Sequence, residues 1–350
     1  ALGAVAACGG FTDFANRRKV KLTQSGVTRE FNAKEIQSDP SRDIRLLPNG
    51  NILALLVEKK SQAEALATGF KADLLLDSFL LPDAVVEIEP IRPKGGRVVW
   101  EWHVWDHLVQ NVDPSKQNYG VPSGHPELVD PNAGNRRIPA FWNHMNSIDY
   151  NASFDQIALS VRGNSEVWII DHGTTTAQAS AHSGGRRGKG GDLLYRWGNP
   201  AAYRAGTASD QRYFQQHDVE WVPADCPGAG NLTCFNNGLG RGAYWTVDEF
   251  PPAVSASGDY TMVAGSKLGP ANFSWTYQGT SVNPMYSENI SGAHRLPDGH
   301  TLICSGTLGL FLEVTMGGDI VWKYINPVDA TGPLRQGTTP PADPSRAGET

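Results

Sequence analysis

Three histidines and one arginine stand in contexts where their side chains could handle a small anion: His144, His217, His294 and Arg241. His144 lies in Trp142-Asn143-His144-Met145-Asn146, just before a segment that reads as an inner strand. His217, in Gln216-His217-Asp218, holds the same place one unit later. His294, in Ser291-Gly292-Ala293-His294-Arg295, opens the last recognisable unit at an equivalent place. Neutral imidazole is a nucleophile, and an ordinary pKa of about 6.5 keeps both protonation forms within reach for acid–base work. Arg241 closes Asn236-Asn237-Gly238-Leu239-Gly240-Arg241, and its rigid fork of donors suits the oxygens of an anion. Asn146, Arg162, Asn237 and His107 are the candidates for holding the rest of a substrate. Trp142 and Trp221 are candidates for stacking on an aromatic ring.

Other suggestive groupings carry less. His103 and His107 are four apart, which is a metal spacing only on a helix. The residues before them read as strand, where successive side chains point to opposite faces. No metal is assigned there, and Asp106 and His107 are left as candidate channel-lining residues. Ser183–Gly191 is rich in glycine, arginine and lysine but lacks the P-loop spacing, so it reads as a flexible basic loop. It could still guide an anionic substrate. His172, His182 and His300 sit in turns and read as solvated.

These residues are embedded in a repeated strand grammar. Ile44–Leu56 and His294–Cys304 each read as strand, Pro-(Asn/Asp)-Gly turn, strand. The Asn-Gly or Asp-Gly pair supplies the positive φ that a tight hairpin needs. Each hairpin is followed by an alternating strand (Val85–Glu89, Phe311–Thr315), a glycine turn, and a last strand ending in aromatics (Val98–Trp102, Ile320–Tyr324). The middle repeats the pattern in Ser147–Tyr150, Gln156–Arg162, Val167–Asp171 and Leu193–Trp197. A further unit begins at Val219–Val222 and continues through Leu232–Phe235 and Trp245–Asp248. Four short strands per unit with a terminal tryptophan predict an all-β propeller of four-stranded antiparallel blades, with a short helical insertion near 61–81. A β-sandwich with long loops is the competing all-β arrangement.

Composition narrows the classes further. The chain has 350 residues, 40% hydrophobic and 19% charged, which is enough to bury a sizeable core. Its 38 glycines and 23 prolines demand many turns. A net charge of −6 argues against a nucleic-acid partner. No apolar run approaches the roughly 18 residues of a membrane-spanning helix. Of the four cysteines, Cys226 and Cys234 bracket a turn-rich loop, and a local disulfide is expected there. Val5-Ala6-Ala7-Cys8-Gly9 is similar to the end of a bacterial lipoprotein signal and points to export, periplasmic or extracellular, with a lipid anchor conceivable in a precursor. Residues 1–40 read as an N-terminal segment belonging to or packed on the propeller, 41–327 as the propeller and 328–350 as an extended tail.

Several segments resemble the bacterial aryl-sulfate sulfotransferases, and among them the planctomycete-type members. These are Trp100–Gln110, Gly163–Asp171, Gly191–Pro200, Gln216–Pro223 and Phe235–Arg241, within a resemblance running from about residue 40 to 327. The resemblance implies six blades with the active site in a central channel. It implies transfer of a sulfuryl group from a phenolic sulfate ester to a phenol, through a sulfated histidine and without a nucleotide donor. No cofactor is implied, and oligomerisation is left open. His144 and His217 match family histidines, and Arg241 matches the arginine that holds the sulfate oxygens. His294 is the nucleophile by spacing, although relatives often carry glutamine there; His144, His217 and His107 are the substitutes. A non-catalytic binding or assembly propeller is the alternative. A quinone-dependent dehydrogenase ranks third, since no adjacent cysteines exist to seat the quinone.

Overall fold

The computed structural model describes residues 20–24, 27–31, 44–91, 95–133, 138–242, 244–278, 287–329, 332–333 and 335–338. The Cys8 segment, much of the expected N-terminal segment and most of the expected tail lie outside the described residues. The chain forms two compact units. One comprises Ala1–Ile44, Phe214–Pro251 and Asn272–Thr350; the other comprises Arg45–Tyr213 and Pro252–Ala271.

The chain opens with a two-stranded hairpin, β1 (Val20–Gln24) and β2 (Val27–Phe31). The Arg45–Tyr213 unit then carries two four-stranded antiparallel sheets. The first comprises β3 (Ile44–Leu46), β4 (Ile52–Val57), β7 (Asp83–Pro90) and β8 (Gly96–His103), in that order. Between β4 and β7 lie the small pair β5 (Lys60–Ser61) and β6 (Phe79–Leu80) and one helix, α1 (Gln62–Ala67). Ser61 caps α1 reciprocally with Glu64, so the expected insertion begins where the capping pattern starts it. It contains only six helical residues, because Gly69, at φ 88°, ends the turn. The second sheet comprises β9 (Met145–Asn151), β10 (Gln156–Val161), β11 (Glu166–Asp171) and β12 (Tyr195–Trp197), joined in sequence order. A second short helix, α2 (Thr176–Ala179), lies between β11 and β12.

Two more sheets lie in the other unit: β13 (His217–Trp221), β14 (Leu232–Asn236), β15 (Thr246–Phe250) and β16 (Trp275–Gln278), then β17 (Gly292–Arg295), β18 (Thr301–Ser305), β19 (Leu310–Val314) and β20 (Ile320–Ile325). A final hairpin pairs β21 (Val328–Asp329) with β22 (Gly332–Pro333). The architecture is therefore all-β with few helices, and four four-stranded antiparallel sheets are present among the described residues.

The turns explain why the repeats fold alike. Gly50 and Gly299 both sit at φ 89°, closing matching hairpins through Gly50 N–H to Leu47 C=O and Gly299 N–H to Leu296 C=O. Alternate apolar residues then face each core. Leu53, Leu55, Val85, Trp102, Ile148, Leu159 and Trp168 share one buried cluster. Phe235, Trp245, Val247, Ile303, Leu312 and Val314 share another. Burying each such side chain is worth about 1.5–3 kcal/mol.

Two expectations need correction. Cys226 and Cys234 are free thiols: Cys226 Sγ lies 3.4 Å from Arg295 C=O, while Cys234 Sγ lies 3.1 Å from His217 C=O. Closeness in sequence did not bring them together, because Cys226 belongs to a loop and Cys234 to the buried strand β14. His172 is not solvated. It lies between the first two sheets, with Nδ1 2.7 Å from Asp155 Oδ1 and Nε2 3.0 Å from Glu87 Oε2. Burial, the largest single effect, lowers its pKa, but the two carboxylates outweigh it and raise the value to about 9.

Candidate active site

In the Arg45–Tyr213 unit the site is built at the entrance to β9. His144 adopts φ 49°, a left-handed conformation costly for a side-chain-bearing residue. It is held there from two sides. Its carbonyl accepts the Arg162 N–H at 3.2 Å, and the Asn143 carbonyl accepts the Gly163 N–H at 2.7 Å. Asp83 Oδ2 accepts the Met145 N–H at 3.1 Å. Only glycine fits at 163, since a Cβ there would lie 2.2 Å from Trp142 O. Register slips by one residue between Val161↔Met145 and Ser160↔Ser147, so Asn146 is the extra residue of a β-bulge. Bulges re-aim side chains and recur beside active sites. His144, Asn146 and Arg162 are thus brought to one strand entrance.

Arg162 is half-buried, and burial lowers its pKa. Among the described residues its Nε is enclosed without a hydrogen-bond partner, and no carboxylate pairs with it. A guanidinium in that state is short of anionic oxygens.

The other unit repeats the device at β13. Gln215 and Asp218 adopt φ 56° and 59°, and the pairing jumps from His217↔Phe235 to Glu220↔Thr233, so a second bulge directly follows His217. His217 is buried, and Asn237 controls its ring. Asn237 Nδ2 donates to the carbonyls of Ser287 and Ile290, both at 2.9 Å. Its Oδ1 must therefore be the atom 2.7 Å from His217 Nδ1, and Nδ1 must donate to it. The lone pair is left on Nε2, towards which the Ile290 N–H points at 3.3 Å. Asp218 anchors the neighbouring strand by accepting the Ala293 N–H at 2.9 Å.

Arg241 lies beyond β14, after the glycine turn. Its guanidinium stacks on Tyr244 at 4.4 Å and Phe214 at 5.3 Å, and Nη2 donates to Thr246 Oγ1 at 3.2 Å. Burial lowers its pKa, and its Nε has no hydrogen-bond partner among the described residues. The nearby Asp248 is wholly enclosed. Burial raises its pKa, opposed by hydrogen bonds from Thr246, Asn236 and Thr276 and by the Arg241 charge.

Two candidates lie elsewhere. His294 is in the regularly paired part of β17, opposite Leu302, with Nδ1 2.7 Å from Glu220 Oε2 and half its side chain exposed. The entrance to β17 is instead marked by Ile290 and Ser291, at φ 49° and 94°. His107 has no exposed side-chain surface; its ring nitrogens contact Asp192 and the Ala179 carbonyl. Trp142 is also buried, at 1% exposure, while Trp221 is 9% exposed.

Sequence reasoning missed the Phe214–Tyr244 cradle, the Thr246–Asp248 support and the anchoring Asp218. Thr246 and Asp248 did leave a signal, as polar residues at alternate positions of β15 and hence on one strand face. Two groups have the donor types for a metal: His107, His182 and Asp192, and the more exposed Asp298, His300 and Glu313.

Residues 26–330 match the family model described as arylsulfotransferase (ASST). No curated protein matches the chain. Solved structures with some likeness include a protein of unknown function from Bacteroides caccae, 11% identical with a TM-score of 0.36, covering 89% of this chain and 76% of that one. Another is a virginiamycin B lyase from Staphylococcus aureus, 6% identical with a TM-score of 0.33, covering 83% and 57%. A third is Kuenenia stuttgartiensis hydrazine synthase, 13% identical with a TM-score of 0.31, covering 61% and 46%. This chain thus spans less than two thirds of the latter two. The family match is of another kind, since it takes in all four four-stranded sheets and both bulged strand entrances: the chain belongs to the arylsulfotransferase family.

Proposed function

We propose that the protein transfers a sulfuryl group from a phenolic sulfate ester to a phenol acceptor through a sulfohistidine, with no nucleotide donor. Family membership supports a sulfotransferase enzyme. The observation that carries the finer reading is the His217–Asn237 pair. Sulfuryl transfer needs an uncharged nitrogen lone pair; Asn237 fixes the tautomer that places one on His217 Nε2, and the long Ile290 N–H contact there must give way before attack. In the first step Nε2 attacks sulfur, the N–S bond forms, and the S–O bond to the aryl group breaks. The phenolate leaves and takes up a proton. In the second step the acceptor oxygen attacks sulfur, the N–S bond breaks, and the acceptor gives up its proton. Nδ1–H stays on Asn237 throughout, because an amide oxygen does not take the proton as a carboxylate could.

Arg241 holds the sulfuryl oxygens in this reading. Its aromatic cradle presents the guanidinium while Thr246 fixes one end of the fork, and preorganised donors at developing charge are often the largest catalytic contribution. His144, Asn146 and Arg162 at the β9 entrance of the other unit are proposed as a further histidine–arginine group suited to an anion. The six-bladed propeller with a central channel, planctomycete-type membership and export all belong to this proposal. No helix among the described residues is long and apolar enough to cross a membrane. The test is nitrophenolate release from 4-nitrophenyl sulfate with and without a phenol acceptor. Acceptor-dependent release is expected; no release across several donors and acceptors favours a non-catalytic binding propeller.

A further inference from the structure

The glycine-rich stretch after α2 folds over His107 and brings three ligand atoms together. His107 Nδ1 is 2.9 Å from Asp192 Oδ1, and His182 Nδ1 is 2.7 Å from the same oxygen. All three atoms lie within 4.8 Å of one another. The other nitrogen of His107, Nε2, is 2.9 Å from the Ala179 carbonyl. A carbonyl only accepts, so Nε2 carries a hydrogen, which in the neutral ring leaves the lone pair on Nδ1, aimed at a carboxylate oxygen. Two electron-rich atoms facing each other require a cation between them, either a proton or a metal. A ring N–H given to a backbone carbonyl is also how metal-binding histidines are held.

The frame around this triad is rigid. Trp102 stacks on His107 at 5.5 Å, with the rings 6° apart, and its Nε1–H donates to Gly191 C=O at 2.6 Å. A Cβ at Gly190 would lie 2.0 Å from Ala181 O, and one at Gly191 1.9 Å from Ala179 O. Both glycines are therefore needed for the chain to close against the ring. Arg187, in the same loop, is directed away, to Asp259 Oδ1 at 2.8 Å and the Phe154 carbonyl. The side chains of His107 and Asp192 are 0% and 9% exposed, whereas that of His182 is 59% exposed. The buried pair forms the floor and solvent reaches the triad from the His182 side.

We propose that His107, His182 and Asp192 bind one divalent transition metal, with Zn²⁺ the best chemical match, leaving a fourth position open to solvent. Two imidazoles and a carboxylate suit zinc, whose ligands sit about 2.0–2.2 Å from the ion and hence about 3.3 Å from each other in a tetrahedron. Opening the present contacts by about half an ångström reaches that geometry. The exposed member of the triad is His182.

The test uses the full chain stripped with a chelator and titrated with ZnCl₂, with metal content measured after desalting, and with CoCl₂ to read visible absorption from a tetrahedral site. One equivalent is expected to bind. His182→Ala, at an exposed position and checked for folding by circular dichroism, is expected to lose affinity by more than about tenfold, since removing even a residue that only supports a metal ligand costs about 10–100-fold. It is also expected to lose the cobalt absorption. His300→Ala, in the other donor group, is expected to bind as the parent does. Absence of stoichiometric binding, unchanged binding by folded His182→Ala, or loss of binding in His300→Ala would overturn the proposal.

Discussion

At the scale of single residues the account turns on tautomer and charge. Asn237 is not a neighbour of His217 in sequence; the β13–β14 hairpin brings it there, two residues past Phe235, the strand partner of His217. Replacing Asn237 with alanine frees the ring to adopt the other tautomer. The expected result is a lower kcat with KM little changed, measured by steady-state nitrophenolate release. Arg241→Ala removes the donor proposed for the sulfuryl oxygens, and kcat should fall by about 10²–10³-fold, as when a single oxyanion donor is lost. His294→Gln removes an exposed partner of Glu220 and should leave turnover near that of the parent. The histidines at these places were legible in the sequence as short polar segments before strands. Which of them keeps a nucleophilic lone pair was not, because it depends on an amide reached through strand pairing.

At the scale of elements the informative features are the bulges and the left-handed residues. His144, Gln215, Asp218, Ile290 and Ser291 all adopt positive φ without being glycine. The sequence announces this weakly: His and Asp visit the left-handed region more readily than most residues, whereas Gln215, Ile290 and Ser291 are held there by the surrounding structure. The strands themselves were legible, because alternation, Pro-(Asn/Asp)-Gly turns and terminal tryptophans agree with one another. The exceptions are β16, which arrives only after Pro252–Ala271, a segment belonging to the other unit, and the two-stranded pairs β1–β2, β5–β6 and β21–β22. Gly163→Ala would drive a methyl into the Trp142 and Asn143 carbonyls. A stability loss of about 1–3 kcal/mol is expected, seen as a lower urea midpoint, together with reduced turnover.

His172 gives a pH prediction at the same scale. Its folded pKa of about 9 exceeds the unfolded value of about 6.5, so its contribution is complete below pH 6.5 and is lost as pH rises through 9. Glu87 and Asp155 are shifted the other way, chiefly by hydrogen bonds to His172, so their contribution is lost on acidification below the ordinary carboxylate range. Urea unfolding should show greatest stability in mildly acidic solution and a decline between pH 6.5 and 9. His172→Ala should cost roughly 3 kcal/mol, because it strands two partly buried carboxylates, and should flatten that decline.

At the scale of the whole molecule, the net charge of −6 gives no general attraction for an anionic ester. Binding must come from local cations, and the half-buried Arg162 and Arg241, each with an Nε that lacks a hydrogen-bond partner among the described residues, are suited to it. The family was legible from five segments that carry strand ends and glycine turns together. The expected disulfide was not, because a loop cysteine and a strand cysteine point to different carbonyls. The most direct test of the central claim is rapid mixing with 4-nitrophenyl sulfate in the absence of acceptor, alkaline quenching to preserve the acid-labile adduct, and peptide mass spectrometry. The account predicts a stoichiometric sulfuryl addition on the peptide containing His217, absent in His217→Ala. An adduct on His144 or His294 instead, or turnover retained by His217→Ala, would contradict it.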